Sequence, residues 1–186
     1  MAGFQIWLHR KLLSATIVAA FMRTAWGWPT VESIHFIGLT LLFGTIAVWD
    51  LRLLGLLKRV PIVELHRLVP FAVLGFAINA TSGSMFLMTE PDQYLYNPAF
   101  QFKFLLIAMA GINVLVFYAT VFRRLRGLAT GVEAPRTVKL FGATSLICWT
   151  GVIVCGRLIT FYRPALCRPG ESLAFILECI PRLSGG

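Results

Sequence analysis

Acidic residues are scarce in this chain, and so is charge of either sign. Eight Asp and Glu stand beside 17 Lys and Arg in 186 residues, only 13% of positions are charged and 58% are hydrophobic. With a mean hydropathy of +0.78, a soluble domain of this size would expose far more apolar surface than such domains carry. Signatures of soluble catalysis are missing too: there is no P-loop, no dinucleotide-binding glycine pattern, no nucleophile elbow and no paired zinc-binding motif. An autonomous hydrolase or nucleotide enzyme is therefore not expected. Nor is a nucleic-acid binder, despite a formal charge of +9, because the basic residues cluster at the ends of hydrophobic runs and not on a polar surface interleaved with aromatics.

Cysteine is sparse. Cys148 and Cys155 lie inside the last hydrophobic run, and Cys167 and Cys179 in the tail after it. A Cys167 to Cys179 disulfide closing a short loop and a pair of free interfacial thiols are both compatible with that spacing.

What the chain does contain is hydrophobic runs long enough to cross a bilayer, for which ~20 apolar residues suffice. Four are read, at 31–50, 67–89, 102–122 and 139–160. Spanning strands would alternate with a period of two, so all four are helices. The fold expected is an all-α integral membrane four-helix bundle, one membrane domain over residues 1–186, with the lipid bilayer as its first partner. The 50–61 connection and the 123–139 segment are rich in Lys and Arg, whereas 89–101 carries Glu90 and Asp92 and no base. By the positive-inside rule the first two are cytoplasmic, and the 89–101 loop and the 161–186 tail lie outside.

Residues 1–29 have the outline of a secretory signal: Arg10-Lys11, an apolar stretch from Leu12 to Met22, then Ala25-Trp26-Gly27. However, Trp7 and Leu8 make the leading region hydrophobic, and Arg23 directly follows the apolar stretch. A retained interfacial amphipathic helix on the outer face fits better, with Trp26 and Trp28 as aromatic anchors ahead of Pro29. In the tail, Arg163-Pro164 and Arg168-Pro169-Gly170 break helical structure, and Glu171 to Ile180 are expected to form a short outer-face helix.

The polar residues inside the runs are the candidates for function. Thr40, Asn79, Asn113 and Thr150 fall near the centres of their spans. Asn79 and Asn113, on consecutive antiparallel helices, are expected to hydrogen-bond each other or a shared water. Gly75, Asn79 and Gly83 form a small-residue stripe suited to close packing, or to a polar path for protons or a quinone headgroup. Glu32 and His35 share a helix face at the outer end of the first span. Ser84, Met85 and Cys155 are at a comparable depth, and Met88, Lys103 and Arg157 lie nearer the outer surface. His35 with Met85 is a ligand pair for haem b, and His35, Met85, Met88 and Cys155 are ligand types that suit copper. The plainer alternative is a structural histidine bonded to Glu32 or a backbone carbonyl. His66 and His35 differ in depth by about 25 Å at 1.5 Å per residue, so they cannot share one haem; His9 reaches His35 only if the N-terminal helix folds under the bundle. Asp50, Arg52, Glu64, His66 and Arg67 are expected to gather as a solvated ion-pair cluster at the cytoplasmic end, or as a surface for a partner.

The stretch Trp28-Pro-Thr-Val-Glu-Ser-Ile-His35, with Asp50-Leu-Arg-Leu-Leu-Gly55, Asn97-Pro-Ala-Phe100, Lys103 and Gly111-Ile-Asn113, resembles a family of uncharacterised bacterial inner-membrane proteins over residues 5–125. The resemblance implies a small four-span bundle in the bacterial inner membrane, with Glu32, His35, Asp50, Arg52, Lys103 and Asn113 as characteristic polar positions, and no established activity. It also implies that relatives carry a histidine near the position of Tyr118; this chain has none there, which puts a haem or proton role needing that histidine in doubt. In architecture alone the arrangement is similar to membrane b-type cytochromes and copper-resistance membrane proteins. The functions weighed are a subunit that anchors or accompanies a larger membrane complex of redox type, together with other membrane or periplasmic subunits; a haem- or quinone-handling electron-transfer subunit; and a transporter or sensor for copper or a small solute.

Overall fold

A computed structural model describes residues 16–125, 132, 134–163, 165–166 and 179–180. It is an all-α membrane bundle with four segments long and apolar enough to cross a membrane. In chain order these residues form α1 (Thr16–Met22), α2 (Gly27–Leu54), α3 (Ile62–His66), α4 (Val69–Thr89), α5 (Pro91–Leu95), α6 (Pro98–Thr120), α7 (Phe122–Leu125) and α8 (Arg136–Phe161). A two-residue parallel pair follows, β1 (Ala165–Leu166) with β2 (Cys179–Ile180). The crossings are α2, α3 with α4 (Ile62–Thr89), α6 and α8.

Local chemistry sets several ends. Gly55, at φ +92°, closes α2 with the paired bonds Gly55 N–H to Arg52 O and Leu56 N–H to Leu51 O, the left-handed cap that glycine adopts without strain. Pro98 opens α6 behind an Asn97 cap whose side chain accepts from Ala99 N–H at 3.0 Å. Gln93 on α5 and Asn97 at the start of α6 then strap this end to α8: their amides donate to the carbonyls of Ile159 and Tyr162 at the end of α8, acceptors that a helix end leaves without an internal partner.

The helices are not arranged as a closed ring of contacts. α2 packs against both α4 and α8, and α8 packs against α6, whereas α4 and α6 share no comparable interface. Glycine permits the tightest crossing: a Cβ on Gly75 would lie 2.6 Å from Leu42 N and 2.8 Å from Gly38 O. At one end, called the basic end for Lys58, Arg59 and Lys139, the core contains Leu53, Ile62, Phe117, Phe122, Leu125, Ala134 and Val138. At the opposite end Met22, Val31 and Phe86 form a second cluster with Trp28, Met85 and Tyr94 around it.

Within the segment expected to be interfacial, residues 16–22 form α1. It buries Ala19 and Met22 against the bundle and leaves Ile17 and Phe21 exposed, while residues 1–15, His9 among them, lie outside the described residues. Gly27 allows the turn into α2, since a Cβ there would strike the Phe21 carbonyl. Trp26 is exposed, and the Trp28 ring packs at a tilt against Phe86, centroids 4.9 Å apart. The expected helix from Glu171 to Ile180 needs correction at its end: Cys179 and Ile180 are extended and pair with Ala165 and Leu166. Pro181 disfavours helical geometry at Ile180. Residues 171–178 and Cys167, and with Cys167 the candidate disulfide, lie outside the described residues.

Candidate functional site: a lipid-facing cleft around Asp50

Because α4 and α6 stay apart, a cleft of about 390 Å³ opens between them, walled by all four crossings. Its walls are aromatic and aliphatic: Trp49 on α2, Phe76 on α4, Phe117 and Tyr118 on α6, and Phe141 and Trp149 on α8. Val73, Phe76 and Val114, at its rim, are exposed on the face that lipid covers. Few polar groups enter it. They are Thr45, Asp50, Asn113, Tyr118 and Ser145.

Asp50 is 3% exposed, and its Oδ2 is buried without a hydrogen-bond partner. The Ser145 hydroxyl faces the carboxyl from α8, and the close approach that brings it there depends on Gly142, where a Cβ would lie 3.1 Å from Asp50 O and from Leu53 Cβ. Asn113 donates to Phe141 O at 3.1 Å and so ties α6 to α8 along the same wall. Behind the wall the Tyr118 hydroxyl meets His66 Nδ1 at 3.4 Å, and the His66 ring lies among Trp49, Tyr118 and Phe122. A lone buried carboxyl oxygen in an apolar, aromatic-walled cleft can donate to a carbonyl when protonated or accept from a hydroxyl when ionised.

Several expected groupings do not form. The ion-pair cluster of Asp50, Arg52, Glu64, His66 and Arg67 divides: only Glu64 and Arg67 pair, at 3.1 Å on the surface, whereas Asp50 and Arg52 are 3% and 1% exposed. The reason is that α2 continues to Leu54, so both charges lie inside the packed helix end and not in a solvated connection. Asn79 and Asn113 do not bond each other. Asn79 donates to Gly75 O at 3.0 Å, and the two helices are separated by the cleft. Thr40 and Thr150 are exposed on the lipid side, Thr40 bonding back to Phe36 O.

His35 is held at the opposite end. Its Nδ1 is 2.7 Å from Ser82 Oγ, and that hydroxyl donates to Ile78 O at 2.6 Å. Ser82 therefore accepts from His35 Nδ1–H, which leaves Nε2 as a lone pair. The partner is neither Glu32 nor a backbone carbonyl. The ring meets Phe86 edge-on at 5.7 Å, beside Gly83. Met85 packs against the Met22, Val31 and Phe86 cluster, while Met88 and Cys155 are half-buried on α4 and α8. A shallower groove between α2 and α4 is lined by Val31, Ile34, Ile78, Ser82 and Met85. Lys103 reaches α8, its Nζ 3.7 Å from where a Cβ on Gly156 would stand, and Arg157 is exposed over the Phe161 ring at 4.9 Å. Half-buried Glu32 lies near Tyr94, whose hydroxyl is pushed up to about 12 by burial and then by Glu32 and Glu90. Among the described residues no three His, Cys, Asp or Glu side chains gather as a metal site.

Residues 15–162 match DUF6644, a family of unknown function. The chain belongs to the DUF6644 family. No curated protein and no solved structure matches it. The DUF6644 match agrees with the expected resemblance to an uncharacterised family, and it reaches through α8, beyond the residues that carried that resemblance. It therefore takes in the whole cleft. Sequence reading passed over Ser145, Tyr118 and Trp49 as site residues; the available signal was Gly142 and Ser145, small residues three apart on the helix opposite Asp50.

Proposed function

We propose that this DUF6644 protein is a bacterial inner-membrane subunit that holds the ring of a lipid-soluble, quinone-class molecule in the cleft between α4 and α6, on behalf of a larger redox complex. The observation that carries this reading is the unpartnered Asp50 Oδ2 buried in a lipid-facing aromatic cleft. A quinone arrives through the bilayer, fits an apolar pocket of about 390 Å³ and presents a carbonyl in one redox state and a hydroxyl in the other. A carboxyl can bond both. Electron exchange is assigned to a partner subunit, which is also what an accompanying membrane chain implies. The positive-inside rule orients the 50–61 connection and the 123–139 segment to the cytoplasm, with the 89–101 loop and the tail outside. That places the cleft in the cytoplasmic half of the membrane. The haem reading through His35 and Met85 and the copper reading through His35, Met85, Met88 and Cys155 have less support, because Met85 packs into the apolar cluster of Met22, Val31 and Phe86 and no three His, Cys, Asp or Glu side chains gather among the described residues.

Titration of a short-chain quinone into the full chain in phosphatidylcholine nanodiscs, followed by quenching of tryptophan fluorescence, tests this. Trp49 and Trp149 line the cleft, so saturable quenching is expected. Asp50→Leu, which can neither donate nor accept, should weaken it about tenfold, the loss of a buried hydrogen bond to a charged or acidic group. Thr150→Ala, on the lipid side, should leave it unchanged. Quenching that tracks quinone partitioning into the disc and ignores Asp50→Leu would sink the reading.

A further inference from the structure

The basic end contains a second buried polar group that the cleft does not use. Arg52 Nε donates to Val60 O at 2.7 Å, which ties the connection after Gly55 back onto the end of α2. Nη1 and Nη2 are buried and have no hydrogen-bond partner. A guanidinium keeps its proton in a protein, so these nitrogens remain charged donors at every working pH. Leaving such a group buried and unpaired costs several kcal/mol. Neither acid near it in sequence bonds it: Glu64 pairs with Arg67, and Asp50 Oδ2 has no hydrogen-bond partner.

More positive charge gathers at the same place. Gly55, the cap whose N–H bonds Arg52 O, lies close to both lysines: a Cβ on it would lie 3.4 Å from Lys58 Cε and 3.8 Å from Lys139 Nζ. Thus α2, the connection after it and α8 each direct a cation to one end of the bundle, where a crossing helix ends and headgroups begin. We infer that Arg52, with Lys58 and Lys139 around it, forms a binding site for a phosphate group, reached by displacing the short connection that Val60 ties down. The two unpartnered Nη atoms supply the fork that grips two phosphate oxygens, and the lysines add point charge. An anionic phospholipid headgroup and a soluble phosphate share this chemistry.

Thermal unfolding of the full chain separates these sources and tests the site. The conditions are nanodiscs of phosphatidylcholine alone, the same discs with inorganic phosphate in the buffer, and discs containing phosphatidylglycerol. The melting temperature is expected to rise in at least one of the last two. A rise with phosphatidylglycerol only makes the ligand a lipid; a rise with inorganic phosphate makes it the free anion. Arg52→Met should abolish the rise while melting in phosphatidylcholine at or above the wild-type temperature, because it removes an unpaired buried charge and keeps the volume. An equal rise in Arg52→Met would reduce the effect to general surface charge and overturn the site, as would no rise in the wild type. Should Arg52→Met fail to fold, native mass spectrometry of the wild type decides. Preferential retention of phosphatidylglycerol or phosphate, by roughly ten- to a hundredfold, supports the site, and retention no better than that of phosphatidylcholine overturns it.

Discussion

Gly38 and Gly75 meet backbone to backbone: a Cβ on Gly75 would lie 2.8 Å from the Gly38 carbonyl oxygen. This contact is the pinch between α2 and α4. Beyond it the neighbouring residues Leu42 and Phe76 turn into the cleft wall. Two helices that cross this closely in lipid gain dispersion contacts that larger residues would prevent.

Gly75→Ala should therefore force backbone apart and cost about 1–3 kcal/mol in spite of alanine's better helix propensity. Gly44→Ala is the control, since a Cβ at residue 44 meets nothing within 4 Å, and it should be neutral or slightly stabilising. Unfolding of both variants in mild detergent checks the pair. Equal effects would mean that the crossing does not depend on glycine.

The Gly75 stripe shows what the sequence makes legible. Small residues four apart on an apolar helix announce a close crossing, and run length announces the four spans. Which helix faces which is not written in the pattern, because crossings surrounded by lipid are apolar on every side and carry little direction. The expectation of a bond between Asn79 and Asn113 assumed that consecutive helices touch; here α2 and α8 intervene and a cleft separates them. Asp50 and Arg52 depart from the expected solvated cluster for a related reason. Charges near a span end usually mark solvent, but α2 continues past both to Leu54, and helix packing removes them from water.

The His35–Ser82 bond joins α2 to α4 at 2.7 Å. Interhelical hydrogen bonds in membranes average about 0.6 kcal/mol and reach about 1.7. A double-mutant cycle with Ser82→Ala and His35→Phe should give a coupling within that range, measured by reversible unfolding. Coupling near zero would mean that the bond adds no net stability to the contact between α2 and α4.

Tyr94 gives the chain a dependence on alkaline pH. Its hydroxyl is raised from 10.0 to about 12, first by burial and then by the negative charges of Glu32 and Glu90. The folded value lies above that of the unfolded chain, so the stabilisation is complete below pH 10 and is lost as pH climbs toward 12. The loss is at most about 2 kcal/mol after allowance for partial exposure. Ultraviolet titration of the phenolate should show one tyrosine ionising late, and Glu90→Gln should bring it earlier. A Tyr94→Phe variant that loses stability at the same rate over this range would assign the effect elsewhere.

Asn97 is 0% exposed and makes two kinds of bond: its side chain accepts from Ala99 N–H to start α6, and its amide donates to Ile159 O and Tyr162 O to finish α8. Gln93 reaches the same two carbonyls, each at 2.8 Å. Shared acceptors make the pair redundant at α8 but not at α6, where Gln93 offers no substitute cap. Gln93→Ala should therefore cost less than about 1 kcal/mol, and Asn97→Ala about 1–2, because the helix cap goes with it. The double variant should lose more than the sum, since only then are the carbonyls at the end of α8 left with no side-chain donor. Hydrogen exchange over residues 158–163 distinguishes this from a diffuse loss of stability. Faster exchange there in the double variant, with near wild-type protection in Gln93→Ala, is the expected pattern; strictly additive losses would show that the two side chains do not share one task.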